Sequence, residues 1–342
     1  MIDIERLETW LDAQDLPGKG GPVEHRLVTG GAQNAIYEIR RAGLHAALRI
    51  PPPTAPEGRD EGIMREWRIT EALMGTDVPH PEAIAVCSDK SVLGRSFYLM
   101  SFVDGWSPMN TKGWPAPFDT DPVARRGLAL ELVDGIALLS KVDWKAKGLE
   151  GLGRPDGFHE RQVDRWTTFF ERIKKRELPG FDTAQAWLRE HRPIDFQPGL
   201  MHGDYQFANV MFRHGGPARL AAVLDWEMGT IGDPKLDLAW LLEKWPEETS
   251  TDQGTSYVDL TGMPGRSEML ARYAEVSGRQ VDDIDYYTIL AGFKLAVVIE
   301  QGFQRAGDNT VLQNFGRVAI ELMKRAADLA ESTKYGVVVS TR

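Results

Sequence analysis

The stretch Leu200-Met-His-Gly-Asp-Tyr-Gln-Phe-Ala-Asn-Val-Met-Phe212, followed by Val223-Leu-Asp-Trp-Glu227, constrains this chain more than any other. An apolar strand end runs into His202-Gly203-Asp204. Asn209 follows Asp204 by five residues, and a further hydrophobic segment delivers a second carboxylate, Asp225. This is the order of parts that phosphoryl transfer from Mg-ATP requires. One carboxylate orients or deprotonates the attacking hydroxyl, while an amide oxygen and a second carboxylate hold the magnesium that bridges the phosphates. Both donors are hard oxygens of the kind Mg²⁺ takes while keeping several waters. A lone loop Asp is most often a turn or cap residue. The ordered spacing is what makes Asp204 a candidate catalytic base and Asn209 and Asp225 candidate metal ligands.

With 342 residues, 42% of them hydrophobic, the chain can bury a large core as one two-lobed domain or two small ones. Its formal net charge of −10 argues against a nucleic-acid partner but leaves room for a local basic pocket around a phosphorylated ligand. Cys87 is the only cysteine, so no disulfide framework or thiolate metal site can be built, and a cytoplasmic location is expected. Residues 1–10 are acidic and amphipathic, unlike a secretory leader. No apolar run approaches the roughly 20 residues of a membrane-spanning helix, so no membrane partner is expected. The oligomeric state stays open.

Periodicity divides the chain in two. Residues 4–13 suggest a short helix with Ile4, Leu7, Trp10 and Leu11 on one face. Alternation at 25–28, 36–39 and 45–49 reads as three antiparallel strands, 61–74 as a helix, and 83–87 and 96–102 as two more strands. From about 121 onward helical patterning dominates, at 122–141, 160–176, 183–191, 235–245, 266–277, 283–306 and 310–331. Short strands within 198–227 interrupt it. The expected fold class is α+β and bilobal. A lobe of antiparallel β-sheet with one long helix spans 1–100, a hinge 101–105, and a larger, mainly helical lobe 106–342. A cleft between such lobes is a favourable ligand position. Segment 246–265, with its glycines and proline, is expected to be a mobile loop.

Smaller constellations fit the same chemistry. Gly30-Gly31 lies between two expected strands, where backbone N–H groups could approach triphosphate oxygens, although such a pair also serves an ordinary hairpin. Arg49 lies on the third strand and Glu66 on the following helix. A strand cation oriented by a helix carboxylate is how kinase-type sites grip the α- and β-phosphates, and Arg adds bidentate geometry. The alternative makes both surface charges, with Glu66 paired to Arg65 or Arg68. His202 is expected to shape the loop by hydrogen-bonding backbone near Asp225 rather than to act as the base. Asp233 and Asp237 flank a Pro-marked helix start and are expected to cap it and fix the catalytic loop. Trp226 and Trp240 read as core. Helix 161–176 carries a basic face over Val163, Trp166, Phe169 and Phe170. That face reads chiefly as solvated surface, with Arg165 a candidate for an anionic substrate group. Lys294 and Arg305, charges on a strongly apolar helix, are further substrate-pocket candidates.

Together these residues resemble the aminoglycoside phosphotransferase family, members of the wider protein-kinase-like fold. The likeness runs from about residue 30 to about 305. It rests on His202-Gly-Asp204 with Asn209, on Asp225-Trp-Glu227 and on Gly232-Asp-Pro-Lys-Leu-Asp-Leu-Ala239. Within the family the chain is similar to the phosphotransferase-like domain fused to acyl-CoA dehydrogenases, through Leu48-Arg-Ile-Pro-Pro52, Val78-Pro-His-Pro81, Phe97-Tyr-Leu-Met100, Ser277-Gly-Arg279, Asp285-Tyr-Tyr287 and segment 293–305. The resemblance implies Mg²⁺ and ATP as co-substrate, Asp204 as base, Asn209 and Asp225 as magnesium ligands and Arg49 with Glu66 as the phosphate grip. It also implies that backbone at 101–103, including Ser101 and Val103, meets adenine. Arg49 departs from the Lys of protein kinases, although either basic residue occurs in the family. The implied partner is a small-molecule acceptor with a hydroxyl, for the dehydrogenase-fused subgroup a hydroxyacyl-CoA or hydroxy acid. No acidic loop suits a polycationic antibiotic. Three other readings are an aminoglycoside or other metabolite kinase, a nucleotide-binding domain without catalysis, and a metal-dependent hydrolase. The scatter of the seven histidines disfavours the last.

Overall fold

A computed structural model describes residues 2–30, 34–56, 58–109, 113–243, 245 and 258–335. The first part comprises α1 (Ile4–Ala13), β1 (Glu24–Gly30), β2 (Ala35–Arg41), β3 (Leu44–Ile50), α2 (Arg59–Leu73), β4 (Ala83–Cys87), α3 (Lys90–Leu93) and β5 (Phe97–Ser101). Its strands form one antiparallel sheet in the order β1-β2-β3-β5-β4. Helix α1 starts where the Asp3 carboxylate accepts the Arg6 N–H at 3.1 Å, a standard N-cap.

Strand alternation decides what each face of the sheet meets. Leu48 and Ile50 of β3 and Phe97 and Leu99 of β5 share a core with Leu7 and Leu11 of α1. Ala47 of β3 and Tyr98 and Met100 of β5 face the other way, against Ile63 of α2. Arg49 has the parity of Ala47, and this turns it toward α2 and its Glu66. Each fully buried Leu, Ile or Phe contributes roughly 1.5–3 kcal/mol. These apolar layers hold the lobe together, because a buried ion pair offsets little more than its own desolvation.

The second part is mainly helical: α4 (Pro122–Ser140), α5 (Phe158–Ile173), α6 (Phe181–Glu190), α7 (Lys235–Leu242), α8 (Arg266–Ser277), α9 (Ile284–Gln304) and α10 (Thr310–Ser332). Between α6 and α7 lie β6 (Gly199–Met201), β7 (Val210–Phe212), β8 (Leu220–Val223) and β9 (Thr230–Gly232), with single 3-10 turns at Phe207–Asn209 and Trp226–Met228. Strand β6 pairs with β9 and β7 with β8, both antiparallel. Two short ladders thus frame two loops, 202–209 and 224–229. Helix α9 is buried on nearly every side from Tyr286 to Val297, as an apolar run without a polar stripe requires. After β5 the chain passes through 102–105 to Trp106, which bridges to Phe212 of β7.

Some details depart from the sequence expectations. Helix α3 is unexpected, since four residues capped by Asp89 and ended by Gly94 are too short to show a period. Helix α5 ends at Ile173 rather than 176, because Lys174 turns to extended geometry. Within the expected loop 246–265, residues 246–257 lie outside the described residues, while Val258 and Leu260 are buried. No helix among the described residues is long and apolar enough to cross a membrane.

Candidate active site

The loop after β6 is built around a glycine and two buried polar side chains. Gly203 has φ +83°, and a Cβ there would sit 2.6 Å from the Met228 carbonyl oxygen, so glycine alone lets the two loops pass this closely. Asp237, in the first turn of α7, accepts the backbone N–H groups of His202 at 2.6 Å and Gly203 at 2.8 Å. Burial pushes its carboxyl pKa above the ordinary value. The His202 ring is also buried. Its Nε2–H donates to the Leu224 carbonyl at 2.7 Å, and its Nδ1 accepts the Asp204 N–H at 3.3 Å. These bonds select one tautomer and tie loop 202–209 to loop 224–229. Asp233 accepts the Lys235 N–H at 3.2 Å and the Tyr287 hydroxyl at 2.5 Å, and meets His159 Nε2 at 3.0 Å. It anchors the start of α7 to α9 and α5.

Asp204 is held by three donors. Its Oδ1 accepts Trp240 Nε1–H at 3.0 Å and Gln206 Nε2–H at 2.7 Å, and its Oδ2 accepts Asn209 Nδ2–H at 3.0 Å. Asn209 Nδ2 also donates to the Asp204 carbonyl at 2.8 Å, so the amide oxygen is the end it offers elsewhere.

Across the cleft, Arg49 bridges two carboxylates. Its Nε lies 2.7 Å from Glu66 Oε2, and its Nη2 donates to Asp225 Oδ1 at 2.7 Å. Glu66 is sealed at 2% side-chain exposure, whereas Asp225 is open at 43%. Tyr98 donates its hydroxyl to Glu66 at 3.3 Å, and Asn34 donates its amide at 3.5 Å. Burial alone would lower the Arg49 pKa, but Glu66, Tyr98 and Asp225 together raise it above the ordinary value. Burial pushes Glu66 up, against the pull of Arg49. Arg65 and Arg68 do not compete for Glu66. Arg65 donates to the Gly229 carbonyl at 2.7 Å and Arg68 to the Glu150 carbonyl at 2.7 Å. Asp225 is the only non-glycine residue with positive φ, 63°, among the described residues. Two positions on, Glu227 pairs with Arg59 at 3.1 Å, and oxygens of Glu66, Asp225 and Glu227 lie within 4.8 Å of one another.

Arg49, Asp204, Asn209, Asp225 and Lys294 all line one cleft of about 630 Å³. The other sequence candidates lie elsewhere. Arg165 is exposed on α5, stacked 5.7 Å from the Trp166 ring; neighbouring helix positions point about 100° apart, so Trp166 lines the cleft and Arg165 does not. Arg305 follows the last turn of α9, about 16 Å beyond Lys294 along the axis, and is exposed. Ser101 ends β5, its Oγ accepting the Glu82 N–H at 2.9 Å, and Val103 lies in the connecting segment. Neither lines this cleft. Gly30 ends β1, and Gly31 falls outside the described residues. Sequence reasoning assigned Trp240 and Trp166 to the core and passed over Glu227. Trp240 and Trp166 are indeed 7% and 8% exposed, yet both face the cleft, as Glu227 does.

A model of the phosphotransferase enzyme family matches residues 24–275. Acyl-CoA dehydrogenase family member 11 of Rattus norvegicus is 30% identical over 92% of this chain and 41% of its own length. Family member 10 of Mus musculus is 28% identical over 98% of this chain and 32% of its own. The chain therefore spans about a third to two fifths of these relatives. A crystal structure of a candidate aminoglycoside phosphotransferase from Ralstonia eutropha is 29% identical, with TM-score 0.82, covering 97% of this chain and 99% of that one. Macrolide 2'-phosphotransferase from Brachybacterium faecium is 18% identical with TM-score 0.58, covering 97% and 99%, and shares the fold. With its two-lobed, kinase-like α+β architecture, this chain belongs to the phosphotransferase enzyme family.

Proposed function

We propose that the chain is a Mg-ATP-dependent phosphotransferase that moves the γ-phosphate to a hydroxyl of a small-molecule acceptor. The observation that carries this reading is convergence. Arg49 and Asp225, 176 residues apart in sequence, meet in the same cleft as Asp204 and Asn209. The donor set fits magnesium: a carboxylate open to the cleft and an amide oxygen left over from the Asp204 contacts are hard oxygen ligands. Asn209 and Asp225 would hold the ion, with Glu227 close enough to assist. Bound there, magnesium would neutralise charge on the β- and γ-phosphate oxygens.

The chain's own side chains supply the remaining chemistry. Arg49, oriented by Glu66, turns its Nη2 edge into the cleft, where α- and β-phosphates would meet it. Asp204, with its carboxylate fixed by Trp240, Gln206 and Asn209, would take the proton from the attacking hydroxyl as the new O–P bond forms and the bond between the γ-phosphorus and the β–γ bridging oxygen breaks, releasing ADP. Asp237 and His202 hold the loop backbone that presents Asp204. Adenine would then reach past the lining of this cleft to the backbone at 101–103, at the end of β5 and the start of the connecting segment. Relatives named as acyl-CoA dehydrogenase family members favour an alcohol related to acyl chains, such as a hydroxyacyl-CoA or hydroxy acid.

The test combines calorimetry of ATP and GTP, with and without magnesium, with an ATP-consumption screen over hydroxylated metabolites including hydroxyacyl-CoAs. Magnesium-dependent nucleotide binding and at least one acceptor that raises consumption are expected. Absence of magnesium-dependent binding of either nucleotide at millimolar concentration refutes the reading.

A further inference from the structure

Lys294 is the one charged residue between Tyr286 and Val297 on α9, a stretch otherwise built from apolar and neutral side chains. A cation in such a place is costly unless it is paired or used. Among the described residues no carboxylate lies within ion-pair distance of it, although the more distant charges of Asp237 and Asp204 favour the ammonium against its burial. Its ammonium instead lies 4.5 Å from the centroid of the Trp240 ring and 5.5 Å from that of Trp166. Its hydrogen bond reaches the Gly203 carbonyl at 3.5 Å, the outer limit for such an interaction. An ammonium carries three donors, and Lys294 lines the cleft.

Trp240 links this cation to the proposed base. Its indole N–H donates to Asp204 Oδ1 at 3.0 Å, while its ring lies beside the Lys294 ammonium. An acceptor with its hydroxyl at Asp204 therefore lays its next few atoms along Trp240 and brings whatever they carry to Lys294. A cationic group there meets like charge, and a neutral group leaves the ammonium underpaired. An anionic group completes it with a charge-assisted hydrogen bond.

We propose that Lys294, flanked by Trp166 and Trp240, is the specificity-determining residue of this cleft and binds a carboxylate carried by the acceptor a short carbon chain away from the reacting hydroxyl. The acceptor is then an acidic alcohol, a free hydroxy acid. In a CoA thioester that carboxylate is consumed, and the negative charges lie on the phosphates at the far end of the molecule. The proposal rests on the phosphotransferase reading and narrows its substrate class.

The test uses the full chain with Mg-ATP and positional isomers of hydroxybutyrate, hydroxypentanoate and hydroxyhexanoate, each with its carboxamide and its CoA thioester. The best acid should exceed its amide in kcat/KM by about tenfold or more, the effect of removing one charge-assisted hydrogen bond. Lys294→Met should bring the acid-to-amide ratio close to one, and Lys294→Arg should keep most of it. Mg-ATP calorimetry on each variant reports whether the fold and nucleotide site survive. A merely structural lysine would lower acid and amide alike. An unchanged ratio in Lys294→Met overturns the proposal, as does a wild-type preference for amide or thioester. Failure of every acid to bind the ATP-loaded protein at millimolar concentration also overturns it. If ATP binds normally while the acids are ignored, only the Lys294 assignment falls. If no form binds Mg-ATP, the phosphotransferase reading falls with it.

Discussion

Truncating Arg49 to Ala tests the phosphate grip and the physics of the buried pair together. With Glu66 sealed at 2% side-chain exposure, the change leaves a carboxylate without its cation and without water. Asp225, at 43%, regains water and loses little. The Tyr98 hydroxyl at 3.3 Å and the Asn34 amide at 3.5 Å remain as long hydrogen bonds to Glu66. Breaking a buried pair costs about 3–5 kcal/mol, and the two surviving donors place this case near the lower end, about 3 kcal/mol. Burial already raises the Glu66 pKa against the pull of Arg49, so losing Arg49 raises it further. A carboxyl whose folded pKa lies above its unfolded value costs stability at high pH, and that cost fades as pH falls through the folded pKa. The deficit of Arg49→Ala should therefore shrink from about pH 8 toward about pH 5. Adding Glu66→Gln should recover part of it at the higher pH. Mg-ATP should bind about 10- to 100-fold more weakly, because the guanidinium no longer donates a charge-assisted hydrogen bond to phosphate, with adenosine little affected. Denaturant unfolding at both pH values and calorimetry with both ligands provide the readouts. An unchanged unfolding midpoint, a deficit that ignores pH, or equal losses for ATP and adenosine would refute the reasoning.

Asp204→Asn keeps the shape of the side chain but cannot take a proton; turnover should fall by about 10²-fold or more with Mg-ATP affinity retained. Turnover within a few-fold of wild type would remove Asp204 from the base role, and lost ATP binding would make it a metal or structural residue. Asp225→Ala should abolish most of the magnesium dependence of ATP binding in calorimetry, because Asn209 offers only a neutral donor; retained dependence would move the metal toward Glu227. Glu38, hydrogen-bonded by Arg26 and then by His45 and Arg40, has its pKa held down to about 2. Its contribution to stability is present above the ordinary carboxylate range and lost as pH falls toward 2. The Tm gap between wild type and Glu38→Gln should therefore narrow in acid, and a gap constant from about pH 7 to about pH 3 would contradict the assignment.

Much of the fold was legible because its elements are long and periodic. Strands β4 and β5 and helices α4, α8 and α10 lie within a residue or so of the expected segments. At the start of α4, Asp121 accepts the Val123 N–H at 2.8 Å and Pro122 takes the first helical position, so the boundary is written locally. The motif residues of the site were legible for a similar reason. Asp204, Asn209 and Asp225 fall close together in sequence, on loops framed by two short ladders. Arg49 and Glu66 were legible only as a spacing. Their meeting depends on the side-chain parity of β3, which pairing with β2 and β5 fixes.

What the sequence hid is the direction in which buried aromatics face. Hydrophobic periodicity reports burial, and a tryptophan covered on one side by core and on the other by cleft has the same signature as one covered on both. Trp240 did carry a clue. It lies three positions after Asp237 on α7, hence on the same face as the carboxylate that holds the His202 and Gly203 backbone. Asp225 carried no such clue. It alone among the described non-glycine residues takes a positive φ, a conformation that costs on the order of 1–3 kcal/mol and persists only where the surroundings over-determine it. Those surroundings are visible. The Leu224 carbonyl is held by His202, the Asp225 carboxylate by Arg49, and the turn Trp226–Met228 follows at once. Glycine would relieve the backbone at this corner but would bring no oxygen into the cleft. An aspartate accepted there, at a cost in stability, is what a position selected for its carboxylate rather than its turn would carry.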